Sequence, residues 1–463
     1  MLEKIFKLKE NGTTVKTEVI AGFTTFITMA YIIFVNPSIL RMAGMNSEGA
    51  LGDAALKFNA FNDPVVGAVM VATVLSAALA TFIMGVYANY PFALAPGMGL
   101  NAFFTFTVVL TMGLSWQTAL GAVFISGLVF IIITVTGIRE AIVNAIPLSL
   151  KNAVSAGIGL FIALIGFVNA KIVVSNPATV VGLGNFTDKK VLLALIGLVI
   201  TGILMARRVK GAILLGILIT TAIGIPMGVV TIGKGFSPVS MPPSLAPTLF
   251  KLNFEALNVP EGGRVFDAVI AFIAVILSFT YVDLFDTLGT LVGTGAKAGM
   301  LDKEGKLPRI NKAMMADAVG TSVGALLGTS TVTTYVESTA GIMEGGKTGL
   351  TSVVVSLLFL VSLFLAPVAG LVPAEATAPA LIIVGVLMMG AVREIDFSDF
   401  TEALPAFITI VAMPFSYSIA NGIAAGLIFY PIVKIVAGRA KEVHPIVYVL
   451  ALLFIIRFAT LAS

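Results

Sequence analysis

Apolar segments long enough to cross a lipid bilayer recur along the whole sequence. A crossing helix needs about 17–25 predominantly apolar residues, and runs of that length fill most of the 463-residue chain. Only 11% of the residues are charged, whereas soluble domains have roughly 25%. The alternating segments of about ten residues that build a membrane β-barrel dominate nowhere. The sequence therefore predicts an all-α polytopic membrane protein.

The apolar segments form two sets of seven, numbered here as spans 1–14. A polar, proline-rich connection at 232–264 separates the two sets. This division predicts a first repeat at 1–231, a second repeat at 265–437 and a C-terminal segment at 438–463. The apolar run 445–462 in that last segment carries Arg457 and either crosses the membrane or lies at its surface. The predicted spans are 19–40, 65–87, 90–108, 115–136, 152–170, 190–206, 211–231, 265–290, 312–328, 330–344, 348–370, 378–393, 403–416 and 418–437.

Positively charged residues cluster in four of the polar stretches. Because each half has seven spans, all four clusters fall on one side of the membrane, which the positive-inside rule makes cytoplasmic. We therefore predict a multi-pass protein of the cell membrane with a cytoplasmic N-terminus and an inverted second half. The 232–264 connection is then extracytoplasmic, and basic residues confined to loops give no reason to expect a nucleic-acid partner. The clusters are Lys4, Lys7, Lys9 and Lys16; Arg207, Arg208 and Lys210; Lys297, Lys303, Lys306, Arg309 and Lys312; and Arg439 and Lys441.

A weak internal repeat supports this 7+7 organisation. With an offset of 250 residues, Val19-Ile20-Ala21 matches Val269-Ile270-Ala271, and Asn36 matches Asp286. With an offset of 236 residues, Asn101 matches Glu337. Inverted repeats with a binding site at the bilayer midplane are typical of secondary transporters.

Two carboxylates lie inside apolar or small-residue runs. Asp286 belongs to LSFTYVDLFDTLGTLVG (277–293), and Glu337 belongs to GTSTVTTYVESTAGI (328–342). A charge at membrane depth is energetically costly, so an acidic residue there indicates a functional site.

Spans 3 and 10 are too irregular to be continuous helices. Span 3 reads NYPFALAPGMGLNAFFTF (89–106), and its prolines and glycines oppose a regular helix. The first part of span 10, 330–335, is rich in threonine and favours an extended strand. Non-helical backbone at membrane depth is tolerated only in the protein interior or beside a cavity. A matched pair of interrupted spans therefore predicts the substrate site.

The residue types at this site indicate the kind of ligand. Carboxylates accept strong hydrogen bonds from N–H groups, and two acids with nearby amide groups suit a flat heterocycle that carries N–H donors and carbonyl acceptors. An anion would be repelled unless the acids were protonated. The proton is the simplest coupling ion, because burial favours the protonated form of an acid, although sodium remains an alternative.

The chain resembles a known family over nearly its full length, and four stretches of the sequence carry the resemblance. They are TEVIAGFTTFITMAYIIFVNPSIL (17–40), ALAPGMGLNAFFTF (93–106), YVDLFDTLGTLVG (281–293) and TSTVTTYVESTAGIMEGGKTGLTSVV (329–354). The chain resembles the purine permeases of the AzgA-like branch of the nucleobase–cation symporter-2 family. The resemblance implies fourteen helices, with a core domain (spans 1–4 and 8–11) that moves against a gate domain (spans 5–7 and 12–14). It also implies uptake of hypoxanthine, guanine and adenine together with protons.

The resemblance assigns roles to three acidic residues. Asp286 in span 8 and Glu337 in span 10 would accept the N–H groups of the base. Asp283 lies one helical turn before Asp286 and is a candidate helper or second proton site. Any of the three could carry the coupling proton.

Four further residues complete the predicted substrate site. Asn101 closes the span 3 motif and would contact the base or orient a carboxylate. Tyr335 and Val336 immediately precede Glu337, and Tyr335 and Phe103 would either stack on the base or pack in the core. Uracil and xanthine relatives carry a Gln-His pair in span 1, where this chain has Thr-Met-Ala from Thr28 onwards. That difference favours the purine branch.

Competing functions remain open from the sequence. A uracil, xanthine or anion transporter could use the same scaffold, although two acids argue against an anion site. A channel is another alternative, and a homodimer would fit distant relatives. The GTSVG stretch (320–324) fits a hydrolase motif, but the lone histidine, His444, is placed in a loop. No metal-ligand spacing or phosphate-binding loop occurs, so we expect neither an enzyme nor a cofactor.

Overall fold

The computed structural model describes residues 2–136, 146–233, 236–254, 265–302 and 307–461. Lys303, Lys306 and residues 255–264 of the predicted connection lie outside the described residues, as do the side chains of Lys297 and Arg457. Within the described part, nine helical stretches are at least 18 residues long and apolar enough to cross a membrane, and shorter apolar helices accompany them. The predicted all-α polytopic fold is confirmed.

The first half contains seven apolar segments in the predicted order. Span 1 is divided near Ala30, and span 7 ends earlier than predicted, just before Ile225-Pro226, because proline cannot donate a helical hydrogen bond. The bounds are Val15–Met29 with Ile32–Leu40 (span 1), Pro64–Ile83 extended by Met84–Ala88 (span 2), strand β1 Leu94–Pro96 with Met98–Ala102 and Phe103–Thr111 (span 3), Trp116–Thr136 (span 4), Leu148–Asn169 (span 5), Lys189–Ala206 (span 6) and Ala212–Gly224 (span 7).

The second half repeats this arrangement. Its bounds are Val265–Lys297 (span 8), Ile310–Leu327 (span 9), strand β4 Val332–Thr334 with Ser338–Met343 (span 10), Gly349–Ser362 extended by Leu363–Leu365 and Ala366–Leu371 (span 11), Ala374–Met388 extended by Met389–Glu394 (span 12), Phe400–Phe415 (span 13) and Ile419–Val436 (span 14). A short helix, Leu2–Phe6, precedes span 1, and the helix Pro445–Leu461 follows span 14. A hairpin of strands β2 (Val173–Asn176) and β3 (Val180–Leu183) joins spans 5 and 6.

The two interrupted spans pair with each other through their strands. Strand β1 runs antiparallel to strand β4, with Leu94 opposite Thr334 and Pro96 opposite Val332. A short helix follows each strand, as the sequence of spans 3 and 10 predicts. The pairing satisfies backbone groups that a helix would otherwise satisfy. Because the strands are antiparallel, the two short helices begin at opposite ends of the strand pair.

Glycines allow spans from the two halves to approach closely. A Cβ atom added to Gly349, at the start of span 11, would lie 1.8 Å from the carbonyl oxygen of Gly85 in the extension of span 2. A Cβ atom added to Gly127 of span 4 would lie 2.4 Å from the Ser322 hydroxyl of span 9. Small residues at such crossings let membrane helices gain dispersion contacts between their backbones.

The buried carboxylate of Glu18 holds span 1 against the start of span 11. It accepts hydrogen bonds from the backbone N–H groups of Lys347 (2.9 Å), Thr348 (3.3 Å) and Thr351 (3.2 Å). The Thr351 hydroxyl adds a fourth bond of 2.6 Å. A helix N-terminus offers unpaired N–H groups and a positive dipole end, so this buried charge has a structural explanation.

An ion network joins the ends of spans 13 and 14. The ammonium group of Lys434 is fully buried and lies 2.6 Å from Glu402 and 2.9 Å from Glu442. Arg439 contacts Asp399 and Glu442, each at 2.6 Å. Burial of a lysine requires such compensation by carboxylates, so this network is a structural clamp.

Candidate functional site

The candidate site is built around the paired strands of spans 3 and 10. Asn101 lies in the short helix after β1, and Glu337 lies at the start of the short helix after β4. Asp286 comes from the middle of the span 8 helix, Val265–Lys297. Because β1 and β4 are hydrogen-bonded, residues more than 200 positions apart in the sequence meet in one place.

Glu337 keeps part of its surface accessible and has a specific partner in span 1. The Tyr31 hydroxyl donates a hydrogen bond of 2.6 Å to Glu337 Oε1. The Thr28 hydroxyl lies 3.5 Å from the Glu337 backbone carbonyl. Tyr31 was not among the predicted site residues, although its match with Tyr281 at the 250-residue offset was a usable signal.

Asp286 also keeps part of its surface accessible. Its carboxylate accepts a hydrogen bond from the Thr333 hydroxyl of strand β4 and is near enough to Glu337 for the two charges to interact. The two acids singled out from the sequence are therefore neighbours. Each is oriented by one hydroxyl group and retains lone pairs for a ligand.

Asn101 is fully buried in the short helix that follows β1. Its side-chain oxygen accepts a hydrogen bond from the Ser330 hydroxyl, whereas its amide nitrogen has no hydrogen-bond partner. A buried donor without a partner is unfavourable by about 1–3 kcal/mol. The amide is therefore available to bind a ligand acceptor.

The other predicted contact residues occupy different environments. Val336 is 48% exposed beside Glu337. Tyr335 is buried, and its hydroxyl donates a 2.6 Å hydrogen bond to the Pro96 carbonyl. Phe103 is buried and packs edge-on against Phe279, with ring centroids 4.8 Å apart. Val336 thus lies open beside the acids, whereas Tyr335 and Phe103 pack in their supporting wall.

Asp283 is fully buried, one turn along span 8 from Asp286. It accepts a hydrogen bond of 3.3 Å from Thr321 of span 9 and lies beside Asp317 of the same span. Asp317 was not predicted, although it is an acid within a predicted span and the reasoning applied to Asp286 covers it equally.

Asn36, the repeat counterpart of Asp286, does not join the site. Its amide nitrogen donates to the hydroxyls of Thr73 (2.7 Å) and Thr329 (2.8 Å), so it ties together spans 1, 2 and the start of span 10. Among the described residues, no group of three or more histidine, cysteine or acidic side chains could hold a metal ion.

This geometry is typical of a membrane transporter. Two interrupted spans, paired inside a polytopic helical bundle and flanked by accessible carboxylates, are the arrangement of a transporter site. Comparison with known proteins agrees. The sequence profile described as "Permease family" matches residues 16–425, and the chain therefore belongs to this permease family.

Named relatives are similar over almost the whole chain. The adenine permease AdeP of Escherichia coli (strain K12) is 45% identical, over 99% of this chain and 96% of the relative. The guanine/hypoxanthine permease PbuG of Bacillus subtilis (strain 168) is 45% identical, over 99% of each chain. A Methanocaldococcus jannaschii protein whose name specifies no substrate is 54% identical, over 100% of this chain and 99% of the relative. The predicted family resemblance is confirmed.

Solved structures support the fold. The transmembrane domain of the cyanobacterial bicarbonate transporter BicA has a TM-score of 0.58 at 16% identity, and the match covers 89% of this chain and 97% of that one. The SLC26A9 structure has a TM-score of 0.57 at 13% identity, over 91% of this chain and 66% of that one. At these identities the likeness concerns the architecture alone.

Proposed function

We propose that this permease takes up purine nucleobases (hypoxanthine, guanine and adenine) together with protons. The observation that carries the proposal is the pair of accessible, neighbouring carboxylates, Asp286 and Glu337, on the strand-paired scaffold that also holds the unpartnered amide of Asn101. The names of relatives such as AdeP and PbuG, which specify adenine and guanine/hypoxanthine, support the same substrate class.

The site chemistry matches the edges of a purine. Asp286 and Glu337 accept N–H groups of the base, and the Asn101 amide donates to a ring nitrogen or carbonyl oxygen. Tyr31 and Thr333 hold the two carboxylates in position. Val336 offers an apolar contact at the rim, while Tyr335 and Phe103 support the wall behind it.

Transport in this proposal occurs by alternating access of an elevator type. The contacts described above that join span 1 to spans 2, 10 and 11, and span 3 to span 10, all lie within the core domain of spans 1–4 and 8–11. The clamp around Lys434 lies within the gate domain of spans 5–7 and 12–14. Each domain is thus internally tied, which suits a rigid-body movement of one against the other.

Polar contacts join the proposed domains at opposite ends of the bundle. Lys210, before span 7, pairs with Glu344, after span 10, at 2.5 Å. At the other end, the hydroxyls of Ser38 in span 1 and Thr377 in span 12 are 3.3 Å apart. Contacts of this kind can break and re-form as the core domain moves.

The proposed orientation places the N-terminus in the cytoplasm of a cell whose plasma membrane holds the protein. The basic clusters around Lys16, Arg207, Arg309 and Arg439 then face the cytoplasm. Lipid contacts the apolar side chains on the outside of the bundle. The homodimer implied by the resemblance stays a prediction.

Uptake into proteoliposomes tests the substrate and the site together. With labelled hypoxanthine and an inward proton gradient, wild-type protein should accumulate the base, whereas Asp286→Ala and Glu337→Ala should abolish uptake while eluting as folded protein on size exclusion. Glu48→Ala is the matched control, because Glu48 is an exposed acid paired with Lys57. Normal uptake by either site variant would refute the assignment.

Competition and ion replacement separate the alternatives. Excess guanine or adenine should suppress hypoxanthine uptake, and uracil, xanthine or sulfate should not. Replacing the proton gradient by a sodium gradient should leave no accumulation. Current without saturable exchange would instead identify a channel.

A further inference from the structure

Two buried aspartates form a pair behind the accessible carboxylates. Asp283 of span 8 and Asp317 of span 9 are both fully buried, and their carboxyl groups lie within hydrogen-bonding distance of each other. No ion pair described in the structure includes either residue. Two ionised carboxylates in contact, away from water and cations, would be strongly unfavourable.

The surrounding hydroxyls satisfy only part of the pair. The Thr287 hydroxyl donates to Asp317 Oδ1 (2.9 Å), and the Thr321 hydroxyl lies 3.3 Å from Asp283 Oδ2. Asp283 Oδ1 and Asp317 Oδ2 have no hydrogen-bond partner among the described groups. Since a hydrogen bond between two carboxyl groups needs a donor, one of them must carry a proton.

Three of the segments packed on span 9 consist of residues that do not titrate. Spans 2 and 4 and strand β1, which pack on span 9, contain no titratable residue within Pro64–Ile83, Trp116–Thr136 and Leu94–Pro96. Asp286 interacts with both members of the pair. Among the side chains that the structure describes, the other titratable groups on the packed elements and at their ends are Tyr335, Glu337 and Glu344 of span 10, Lys151 of span 5, Tyr87 in the extension of span 2, Tyr90 before β1, Tyr281 of span 8, and Arg309 and Lys312 at the start of span 9. The side chains of Asp267 and Lys297 of span 8 lie outside the described residues.

Strand β4 connects the pair to the proposed substrate site. The backbone N–H of Thr334 donates to Asp317, and the hydroxyl of the preceding residue, Thr333, donates to Asp286. Protonation of Asp317 would weaken the hydrogen bond from the Thr334 N–H, because a neutral carboxyl group is a weaker acceptor than a carboxylate. Strand β4 would then carry a charge change at the pair to Thr333 and so to the carboxylate of Asp286.

We propose that the Asp283–Asp317 pair is the coupling-proton site and that it is distinct from the base-binding acids. At rest the two carboxyl groups share one proton. A second proton, taken from water outside the cell and released later to the cytoplasm, makes the pair neutral. Asp286 can then remain ionised and accept an N–H group of the base, because the negative charge beside it has been removed. This inference rests on the proposed purine–proton symport.

Infrared difference spectroscopy tests the shared proton without substrate. Purified wild-type protein at neutral pH should show the carbonyl stretch of a protonated carboxylic acid, and that band should be lost or shifted in Asp283→Asn and Asp317→Asn. Asp399→Asn, which alters an acid paired with Arg439, is the control and should retain the band. An unchanged band in both pair variants would overturn the proposal, whether or not hypoxanthine is transported.

Coupling is tested by comparing exchange with accumulation. Asp317→Asn should still exchange internal for external hypoxanthine but should not concentrate it under a proton gradient, and proton uptake on binding, measured calorimetrically in two buffers, should disappear. Asp317→Glu should restore accumulation. Gradient-driven accumulation by Asp317→Asn would overturn the inference while leaving purine transport intact, and so would loss of binding by folded Asp317→Asn. Absence of hypoxanthine binding by the wild type would instead refute the proposed function.

Discussion

The partners of each buried charge distinguish structural from functional residues. Glu18 is satisfied by the start of span 11, and Lys434 is surrounded by carboxylates. Asp286 and Glu337 have one orienting hydroxyl each and remain partly accessible. Burying a charge is costly, so each of these four residues must have either compensating partners or a function. The hydrogen-bond and ion-pair partners show that Asp286 and Glu337 are the two that retain capacity to bind a ligand.

Removing the hydroxyl of Tyr31 should weaken purine uptake. Tyr31→Phe deletes the 2.6 Å hydrogen bond that orients Glu337. Hydrogen bonds to charged groups contribute about 1.5–3 kcal/mol. If about 1.4 kcal/mol of this is lost from the binding free energy of hypoxanthine, its apparent KM rises roughly tenfold. Uptake kinetics in proteoliposomes measure the change.

Tyr448→Phe is the matched control for this prediction. Its hydroxyl contacts the exposed backbone carbonyl of Ala440, in the connection after span 14. The control should leave the KM unchanged. An unchanged KM in Tyr31→Phe as well would show that Glu337 needs no orienting partner.

The sequence predicts some elements of secondary structure but not how they pair. The interruptions of spans 3 and 10 follow from local composition, because prolines and β-branched residues act within a few positions of themselves. The antiparallel pairing of β1 with β4 depends on residues far apart in the chain. The sequence did not predict the hairpin of β2 and β3, because two strands of four residues each carry a weak signal beside long apolar runs.

The ends of spans 13 and 14 should show an acid-sensitive contribution to stability. The Arg439 guanidinium lowers the pKa of Asp399 to about 2, and Arg439 followed by Lys434 lowers the pKa of Glu442 to about 2. A carboxylate whose pKa is lower in the folded state than in the unfolded state stabilises the fold at any pH above its ordinary pKa. That stabilisation is lost as the pH falls toward the lowered pKa of the folded state. The stabilisation should therefore be complete above the ordinary values of 3.8 and 4.5 and disappear near pH 2.

Thermal unfolding of Arg439→Gln across this pH range checks that sign. The variant should have a lower Tm than the wild type at neutral pH, and the difference should shrink as the pH falls from about 4.5 to about 2. Lys441→Gln, which removes a neighbouring basic residue, should follow the wild-type curve. A Tm difference that grows toward low pH would contradict the assigned role of the network.

At the scale of the whole molecule, the two halves are held together by close crossings and by the strand pair. Spans 2 and 11 cross where Gly85 meets Gly349. Spans 3 and 10 join through β1 and β4. The glycine crossing contains none of the predicted site residues, so disturbing it should affect folding rather than substrate choice. Disturbing the strand pair, which carries the candidate site, should affect both.

Adding a methyl group at the span 2–span 11 crossing should destabilise the protein. In Gly349→Ala the new Cβ would lie 1.8 Å from the Gly85 carbonyl oxygen, and overpacking of this kind is unfavourable by about 1–3 kcal/mol. Thermal unfolding in detergent should show a lower Tm. Gly202→Ala in span 6 has open space around the added Cβ, and alanine's higher helix propensity should leave its Tm unchanged or slightly raised. Equal Tm values for both variants would show that spans 2 and 11 can move apart at this crossing without loss of stability.

Much of the fold and part of the candidate site follow from the sequence. Asp286 and Glu337 were identified because an acid within an apolar run is a local feature. Asp317 and Tyr31 each carried a local signal, an acid within a predicted span and a match at the 250-residue offset, but the groups that they contact cannot be read from the sequence. The contact between Tyr31 and Glu337 joins residues 306 positions apart, and the pairing of Asp283 with Asp317 depends on how spans 8 and 9 pack.

The sequence by itself determined the membrane class, the order of the spans and the two interruptions, because hydrophobic length and backbone preference are properties of neighbouring residues. Only the tertiary structure decided which acids stay accessible, which are compensated by helix ends or cations, and which lie buried side by side. Those outcomes depend on desolvation and on hydrogen-bond partners brought together from distant parts of the chain.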